Sequence, residues 1–304
     1  MSLPLKKKLI LRTTISPGTS GTASDFLVSR TGLSKGRVKD AMNKGAFWIR
    51  KKKGGLKRLR GATANLVPGD QIEFYHDEIL LAQKPPEAKC LSDQKHYSVW
   101  YKPAGLMSQG TMYGDHCSIL RQAELFFHPP RKVFPVHRLD REASGLMLLA
   151  HSREAAAGLS ELFRHNRIIK KYRAEVLGNP GAGQKQGTIE LPLDGKPAVT
   201  EFEVESYDPA SNTATVNVII KTGRLHQIRR HFEMTGFPVM GDPKYGKGNK
   251  NRDGLKLSAV SLGFRCPFCR SRGRVFFSRS VNQGKGPFAL ARHDESAEVS
   301  RAQA

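Results

Sequence analysis

The feature that most constrains this chain is a polar loop that runs directly into an apolar segment. The loop, His137 to Ser144, carries Asp140 between two arginines, and the apolar run Leu146 to Ala150 follows it. A short apolar run with these bounds is typical of a buried strand. We therefore expect Asp140 to stand on a turn beside a buried strand, where its carboxylate can be held in place. On residue types alone, an ordinary turn or cap aspartate is the favoured interpretation.

Composition limits the functions that are open to the chain. Its 304 residues suffice for one large or two moderate domains. Lysine and arginine number 50 against 27 aspartate and glutamate residues, a formal net charge of +23. Such an excess favours a polyanionic partner, and nucleic acid is the first choice. A membrane surface is the competitor, but no strongly amphipathic basic helix supports it. Without a membrane-spanning segment or a secretion signal, the sequence predicts a soluble cytoplasmic protein.

The cysteines do not suggest a disulfide framework or a metal site. The chain has four, Cys90, Cys117, Cys266 and Cys269, which are too few to staple a protein of this size. Cys266 and Cys269 have the CxxC spacing, but no second such pair or histidine pair lies nearby to complete a tetrahedral zinc site. We predict that these two are structural, within a hairpin.

The first third of the chain has the pattern of a small RNA-binding module. Residues 1–12 read as a basic leader, and residues 13–82 contain two short helices with Ser24 and Ser34 as N-caps, followed by two strands. The layout resembles the alpha-L RNA-binding module of the ribosomal-protein S-four type. The residues that carry this resemblance are Leu33-Ser34, Val38, Gly45 and Pro68-Gly69-Asp70-Gln71-Ile72.

A basic loop at residues 51–60 replaces the short hairpin that is usual in that module. Residues 1–90 hold 18 lysines and arginines against 7 aspartates and glutamates, a net charge of +11. This concentration of charge predicts a surface that follows the phosphates of RNA. The side chains expected on it are Lys35, Arg37, Lys51, Lys52, Lys53, Lys57, Arg58 and Arg60.

Motifs in the remainder of the chain resemble those of a single enzyme family. The segment His137 to Ala150 resembles the signature HRLD-R-x-T/S-S-G-L-x-x-x-A of the RluA-type pseudouridine synthases. The further matches are Lys102-Pro103-Ala104-Gly105, Lys170-Lys171-Tyr172, Thr222 to His231 and Gly241-Asp242-Pro243-Lys244-Tyr245-Gly246.

The resemblance implies roles for particular residues. Asp140 falls on the family's catalytic aspartate, Tyr172 on its active-site tyrosine, and Arg229 on the arginine that pairs with the aspartate. Arg138 is then the side chain that takes the place of a flipped base, and Arg141 and His137 are the neighbouring residues expected to contact the RNA and assist base flipping. The Gly241–Gly246 turn is expected to be structural.

The resemblance also implies a fold. We expect an α+β catalytic domain at residues 97–279, built on a largely antiparallel mixed β-sheet flanked by helices, with the aspartate loop in a basic cleft. Alternating segments around residues 199–207 and 213–221 agree with antiparallel pairing. Residues 83–96 have the composition of a linker, and residues 280–304 read as a disordered tail.

The implied reaction is the isomerisation of uridine to pseudouridine in structured RNA. It breaks the bond between base and ribose, rotates the base and rejoins it through carbon, without redox change or loss of a group, so we expect no cofactor or metal. The step needs an ionised carboxylate, either as nucleophile or to stabilise a cationic sugar. We assign that role to Asp140, with Arg229 keeping it charged and Tyr172 stacking on the uracil and assisting proton transfer.

Other functions stay open at this point. An RNA-binding factor of ribosome assembly that has lost its chemistry would be expected to lack part of the set Asp140, Tyr172 and Arg229. A glycosidase-type hydrolase usually needs a second carboxylate paired with the first, and the motifs offer only Glu142. Within the family, large-subunit ribosomal RNA is the expected substrate and transfer RNA the alternative, with a monomeric enzyme.

Overall fold

Buried apolar residues gather into separate cores in two parts of the chain. The computed structural model describes residues 8–52 and 54–268 in full and residues 274–278 as backbone. The chain divides into two compact units, Met1–Pro86 with Gln109–Phe126, and Glu87–Ser108 with Phe127–Ala304. Position 53, Cys269 and the predicted tail at 280–304 lie outside the described residues. Within the described ranges, none of the helices is long and apolar enough to pass through a bilayer.

The first unit is an antiparallel sheet with short helices. Its strands, in the spatial order β1-β4-β2-β3, are β1 Lys8–Thr14, β4 Gln71–Asp77, β2 Phe47–Arg50 and β3 Lys57–Arg58. Its helices are α1 Ala23–Thr31, α2 Lys35–Asn43, α3 Glu78–Leu81 and α4 Ile119–Phe126. Ser34 caps α2 as predicted. Thr22, rather than Ser24, caps α1, because Thr22 and Asp25 form a reciprocal capping box.

Residues 8–12, which the sequence assigns to a basic leader, instead belong to β1. This strand pairs antiparallel with β4 over its whole length, from Lys8 opposite Asp77 to Thr14 opposite Gln71. Leu9 and Leu11 pack against the core of the unit, while the alternate residues are exposed. The run of lysines conceals this two-residue alternation, which is the mark of a strand with one buried face.

The second unit is built on a ten-stranded sheet. Its strands are β5 Lys89–Asp93, β6 Tyr97–Lys102, β7 Phe134–Pro135, β8 Ser144–Ala150, β9 Ile169–Leu177, β10 Gln186–Ile189, β11 Thr200–Asp208, β12 Thr213–Ile220, β13 Leu257–Arg265 and β14 Arg274–Ser278. Its helices are α5 Arg153–Arg164 and α6 Gln227–Met234. The main path of the sheet runs β10-β11-β12-β9-β13-β8-β6-β5, with β14 beside β13 and β7 beside β8.

This sheet confirms the predicted α+β fold. Its recorded pairings are antiparallel except that between β13 and β8, so the sheet is mixed and largely antiparallel. The predicted hairpin β11–β12 and the last hairpin, β13–β14, are both present. The apolar run Leu146 to Ala150 forms most of β8 and is buried throughout. The parallel contact between β13 and β8 joins two antiparallel halves.

Gly145 allows this parallel contact to form. Its φ is +126°, and a Cβ at this position would lie 2.3 Å from the carbonyl oxygen and 2.4 Å from the backbone nitrogen of Ala259 in β13. Gly145→Ala is therefore expected to lower the free energy of unfolding by about 2–4 kcal/mol, since neither backbone can move without breaking the sheet. Chemical denaturation of both proteins measures the difference. Gly195→Ala, which also has a positive φ but open space around it, is the control for backbone strain alone. Equal losses in the two variants would contradict the steric argument.

Candidate active site

The aspartate loop borders the larger of two cavities recorded in the second unit. The cavity has a volume of about 770 Å³. Its walls come from the loop at residues 136–140, the end of α5, the start of β9 and the segment 222–229 that leads into α6. Segments that are distant in sequence meet here because β13 brings β8 and β9 to either side of itself.

The structure brings Asp140 and Arg229 together across 89 residues of sequence. Arg229 Nη1 donates a hydrogen bond of 3.0 Å to Asp140 Oδ2, and lies 3.5 Å from Glu142 Oε2. The side chains of Asp140 and Arg229 are 17% and 2% exposed, so the ion pair lies at the cavity wall with the arginine inside the protein. The carboxylate thus lies in direct contact with a fixed positive charge.

Asp242 holds the other edge of the arginine. It accepts hydrogen bonds of 2.7 Å from Arg229 Nε and 2.8 Å from Nη2, and its own side chain is fully buried. Burial alone would lower the pKa of Arg229, but the hydrogen bonds to Asp242 and Asp140 raise it above its usual value. Burial would likewise raise the pKa of Asp242, which its contacts with Arg229 and two backbone N–H groups hold below the usual range. Arg229 is thus a fixed cation that cannot turn away from Asp140.

His226 lies on the opposite side of Asp140. Its Nε2 is 3.7 Å from Asp140 Oδ1, and its Nδ1 shares a hydrogen bond of 3.0 Å with the hydroxyl of Tyr245. The Tyr245 ring also lies against the Arg229 guanidinium, 5.2 Å from its centroid. His226 precedes α6 in the left-handed conformation, with φ of 52°, which is uncommon for a residue with a side chain and is often found at functional sites. Burial lowers its pKa, although Asp140 acts in the other direction.

Tyr172 lies on the same cavity wall, in the middle of β9. The side chain is half-buried and lines the cavity with Asp140 and His226. Burial, together with the negative charge of Asp140, raises the pKa of the phenol. At neutral pH the hydroxyl therefore keeps its proton, and the ring presents an apolar face to the cavity.

Lys102 ties the Lys-Pro-x-Gly turn to the aspartate loop. Its ammonium is fully buried and donates to the backbone carbonyls of Pro103 (3.0 Å), Leu106 (2.8 Å) and Arg141 (3.2 Å). Burial lowers its pKa to about 8. The two motifs are thereby joined into one support for Asp140.

The three residues predicted to assist base flipping are not equivalent. Arg138 is exposed and lines the main cavity. Arg141 lines a separate cavity of about 330 Å³ and donates from Nε to the carbonyl of Gly105. His137 is half-buried and lines the same cavity as Arg138; its Nε2 accepts a hydrogen bond of 2.9 Å from the Leu148 N–H, and its ring stacks on Phe163. Burial lowers the pKa of His137 to about 3, so it is neutral. These contacts favour a structural role for His137, and its contact with RNA stays a prediction.

The predicted phosphate-following surface of the first unit is partly internal. Arg58 and Arg60 pair with buried Asp115, at 3.2 Å and 2.5 Å, and Arg58 also stacks on Trp48. Asp115 belongs to the same unit but lies more than fifty residues further along the chain, so the basic loop alone does not reveal this partner. These contacts favour a structural role for Arg58 and Arg60, and their contact with RNA stays a prediction.

The other cations of the predicted surface lie nearer to solvent. Lys51 pairs with Asp70 (2.6 Å), Lys35 with Asp25 (2.7 Å) and Arg37 with Glu78 (3.4 Å). Lys52 and Lys57 are exposed, and Lys53 lies outside the described residues. An RNA-binding role for these residues stays a prediction.

Three residues of the site, Asp242, Tyr245 and His226, have no catalytic role predicted from the sequence. Asp242 and Tyr245 lie in the Gly-Asp-x-x-Tyr-Gly turn, which we expected to be structural, and His226 lies in the arginine motif without a role of its own. The only indication of a site role in the sequence was that these polar side chains lie within two motifs that adjoin each other along the chain. Their contacts with Arg229 and Asp140 depend on the packing of the turn against α6, which the sequence does not show.

Comparisons with known proteins agree with this site. Residues 96–234 match the family model described as RNA pseudouridylate synthase. The dual-specificity RNA pseudouridine synthase RluA of Vibrio parahaemolyticus is 31% identical over 202 residues, which cover 60% of this chain and 79% of that relative. The ribosomal large subunit pseudouridine synthase C of Rickettsia conorii is 27% identical over 263 residues, covering 76% and 84%.

A further relative and a solved structure extend the comparison. The ribosomal large subunit pseudouridine synthase D of Zymomonas mobilis is 31% identical over 209 residues, covering 58% of this chain and 64% of the relative. The structure of human RNA pseudouridylate synthase domain containing 1 matches the fold with a TM-score of 0.54 at 20% identity, covering 72% of this chain and 97% of the other. From the cavity, its ion pair and these matches, we conclude that the chain belongs to the RluA-type family of RNA pseudouridine synthases.

Proposed function

We propose that this enzyme isomerises specific uridines of large-subunit ribosomal RNA, using Asp140 as its reacting carboxylate. The observation that carries the proposal is the hydrogen bond of 3.0 Å between Asp140 and buried Arg229 at the wall of a cavity of about 770 Å³. A cavity of this size is within the range that holds small molecules and cofactors. The fixed guanidinium places a positive charge directly against the carboxylate.

The two oxygens of Asp140 have different surroundings. Oδ2 accepts from Arg229, whereas Oδ1 has His226 Nε2 at 3.7 Å, beyond hydrogen-bond distance. Oδ1 is therefore the oxygen that is available to react. It acts on the ribose while the bond between N1 and C1′ breaks, either by attacking C1′ or by stabilising positive charge there.

The reaction also moves a proton. When C5 replaces N1 on C1′, the hydrogen of C5 must leave and N1 must gain one. Tyr172, with its raised pKa, is suited to stack on the uracil and to donate a hydrogen bond, and not to accept the proton. His226, with its lowered pKa, is neutral at pH 7 and lies beside Oδ1, so we assign it to assist the proton transfer.

The uridine must leave the RNA stack to reach Oδ1. Turning a base out costs a few kcal/mol, and a side chain that fills the vacant place offsets part of that cost. Arg138 suits this role because it is exposed at the cavity and makes no hydrogen bond or ion pair within the described parts of the chain. Arg141, which donates to Gly105, is less available.

The relatives support ribosomal RNA as the substrate. Two of them are named for the ribosomal large subunit and one for dual specificity, which keeps transfer RNA as the second candidate. The test is to map pseudouridines in cells with and without this chain. We expect modified uridines in large-subunit ribosomal RNA to disappear when the chain is absent. Loss confined to transfer RNA would favour the alternative, and no loss would contradict the proposal.

A histidine variant tests the assignment of His226. His226→Asn should lower kcat about tenfold or more, because asparagine tolerates the left-handed backbone but cannot replace the imidazole. Since the pKa of His226 lies below its ordinary value of 6.5, wild-type kcat should be constant above that pH and fall below it as the ring gains a proton. The variant should lack this step. His165→Asn, an exposed histidine on Glu161, is the control. Identical pH profiles for wild type and His226→Asn would contradict the assignment.

A further inference from the structure

Lys170 is a buried lysine for which the protein supplies no partner. It lies in β9, its residue is 7% exposed, and it lines the main cavity. Over residues 8–52 and 54–268 it makes no hydrogen bond or ion pair with a side chain or carbonyl. Lys102, the other deeply buried lysine near the site, donates to three carbonyls. The two lysines thus differ in whether the fold satisfies them.

An unpaired ammonium in this position is costly. Removing such an ion from water is unfavourable unless an opposite charge or hydrogen bonds compensate it. Burial lowers the pKa of Lys170, and no neighbouring acid raises it. Lys170 lines the cavity, so its side chain is within reach of a group that enters there. A ligand in the cavity can therefore supply the compensating negative charge.

The position of Lys170 indicates which part of the ligand it meets. Lys170 and Tyr172 are two residues apart on β9, so they project from the same face about 6.6 Å apart along the strand. Tyr172 is assigned to the uracil, and one ribose separates a uracil from its phosphates. A neutral uracil carbonyl would give the ammonium a hydrogen bond without neutralising its charge, whereas a phosphate does both.

We propose that Lys170 binds a backbone phosphate at the target nucleotide, inside the cavity that holds the flipped base. This inference rests on the proposed function and adds an anion subsite to it. Two other cations of the cavity are already engaged, since Arg164 pairs with Glu161 and Arg224 donates to the carbonyl of Pro197, and Arg138 is exposed to solvent. Lys170 is distinguished from them by its burial without a partner. Its contribution is to hold the nucleotide after flipping, when the phosphate enters the cavity with the base.

The first experiment compares Lys170→Met with wild type on ribosomal RNA labelled with tritium at C5 of uridine, taken from cells that lack the enzyme. Release of tritium reports isomerisation, because C5 loses its hydrogen. We expect KM to rise about tenfold or more, with a smaller change in kcat, since the lost contact is a charged hydrogen bond to the substrate. The slope of log(kcat/KM) against log[KCl] should become shallower by about 0.7–0.9, the value for one phosphate contact.

The matched control is Lys171→Met. Lys171 is the neighbouring lysine, is exposed, and projects from the opposite face of β9. It should leave KM and the salt slope close to wild type, and Lys170→Arg should restore much of the KM. A loss in kcat alone, a loss without change of salt slope, or equal effects at Lys170 and Lys171 would overturn the proposal.

A second experiment does not depend on activity. Lys170→Met should raise Tm, because the variant removes an uncompensated buried charge. Wild type should be stabilised more by uridine 5′-monophosphate or uridine 3′-monophosphate than by uridine at equal concentration. That difference should vanish in Lys170→Met and persist in Lys171→Met. A lower Tm would reveal a structural partner, and equal responses of wild type to nucleoside and nucleotides would exclude the phosphate contact. If wild type releases no tritium, the proposed function fails, while these thermal measurements still decide the role of Lys170.

Discussion

Replacing Asp140 by asparagine is expected to abolish isomerisation. In the wild type, Arg229 Nη1 donates to Asp140 Oδ2 at 3.0 Å. Asparagine keeps the shape of the side chain and an oxygen that can accept this hydrogen bond, but it lacks the negative charge that the reaction requires. We expect kcat to fall by at least about four orders of magnitude, the scale seen when a nucleophile or its partner is removed from an enzyme. RNA affinity should stay within a few fold of the wild-type value, because a carboxylate repels phosphates and its removal therefore takes away no attractive contact with the RNA. Tritium release from C5 and an RNA-binding titration measure the two effects.

Glu142 provides the matched control for this substitution. Its Oε2 lies 3.5 Å from the same Arg229 Nη1, so Glu142→Gln makes the same chemical change at a neighbouring carboxylate. We expect a loss of no more than about tenfold, since one charge near the arginine is replaced without touching the reacting oxygen. This comparison also tests the hydrolase alternative, which needs two carboxylates. Retained activity in Asp140→Asn, or comparable losses in both variants, would contradict the assignment of Asp140.

Replacing Asp242 by alanine is expected to have the largest effect on stability. Asp242 and Arg229 are buried together and joined by hydrogen bonds of 2.7 Å and 2.8 Å. Removing Asp242 leaves Arg229 Nε and Nη2 without these acceptors in the interior, and the more exposed Asp140 and Glu142 compensate the charge only in part. The loss of one partner of a buried ion pair costs about 3–5 kcal/mol. The free energy of unfolding, measured by urea denaturation, should fall by that amount. Activity should fall as well, because Arg229 loses the group that aims it at Asp140.

Two further variants separate stability from chemistry. Asp253→Ala removes a surface aspartate that is 72% exposed and paired with Lys256, and should change stability by less than about 0.5 kcal/mol. The double variant Asp242→Leu with Arg229→Met replaces the buried pair by apolar side chains and should recover part of the lost stability, while staying inactive. A loss below about 1 kcal/mol in Asp242→Ala would show that Arg229 does not depend on Asp242.

Much of the second unit could be predicted, because local hydrophobic patterns indicate its strands and its motifs resemble those of a known family. The apolar run Leu146 to Ala150 and the alternation around β11 and β12 report burial directly. The resemblance supplied the pairing of Asp140 with Arg229, which no local pattern contains because the two residues are 89 positions apart.

The contacts that the sequence did not predict have a common physical origin. The partner of Arg58 and Arg60 is Asp115, and the group that fixes Arg229 is Asp242. A charge pattern read along the chain shows how many ions are present but not which of them the fold neutralises. The run of lysines that ends at Lys8 had the same effect, because its charge masked the alternation that forms β1. Lys170 is the opposite case, a cation that the fold does not neutralise, and the sequence alone does not distinguish it from the paired cations.

The central position of β13 in the sheet has a consequence for the folding of the chain during its synthesis. Asp140 belongs to the half of the sheet that contains β8, Tyr172 to the half that contains β9, and β13 lies between them although it is synthesised after both. Because domains fold during translation as their segments emerge, a nascent chain that has displayed Asp140, Tyr172 and Arg229 still lacks the strand that sets them side by side. Catalytic competence should therefore switch on abruptly when β13 leaves the exit tunnel, and shorter nascent chains should be able to bind RNA without modifying it.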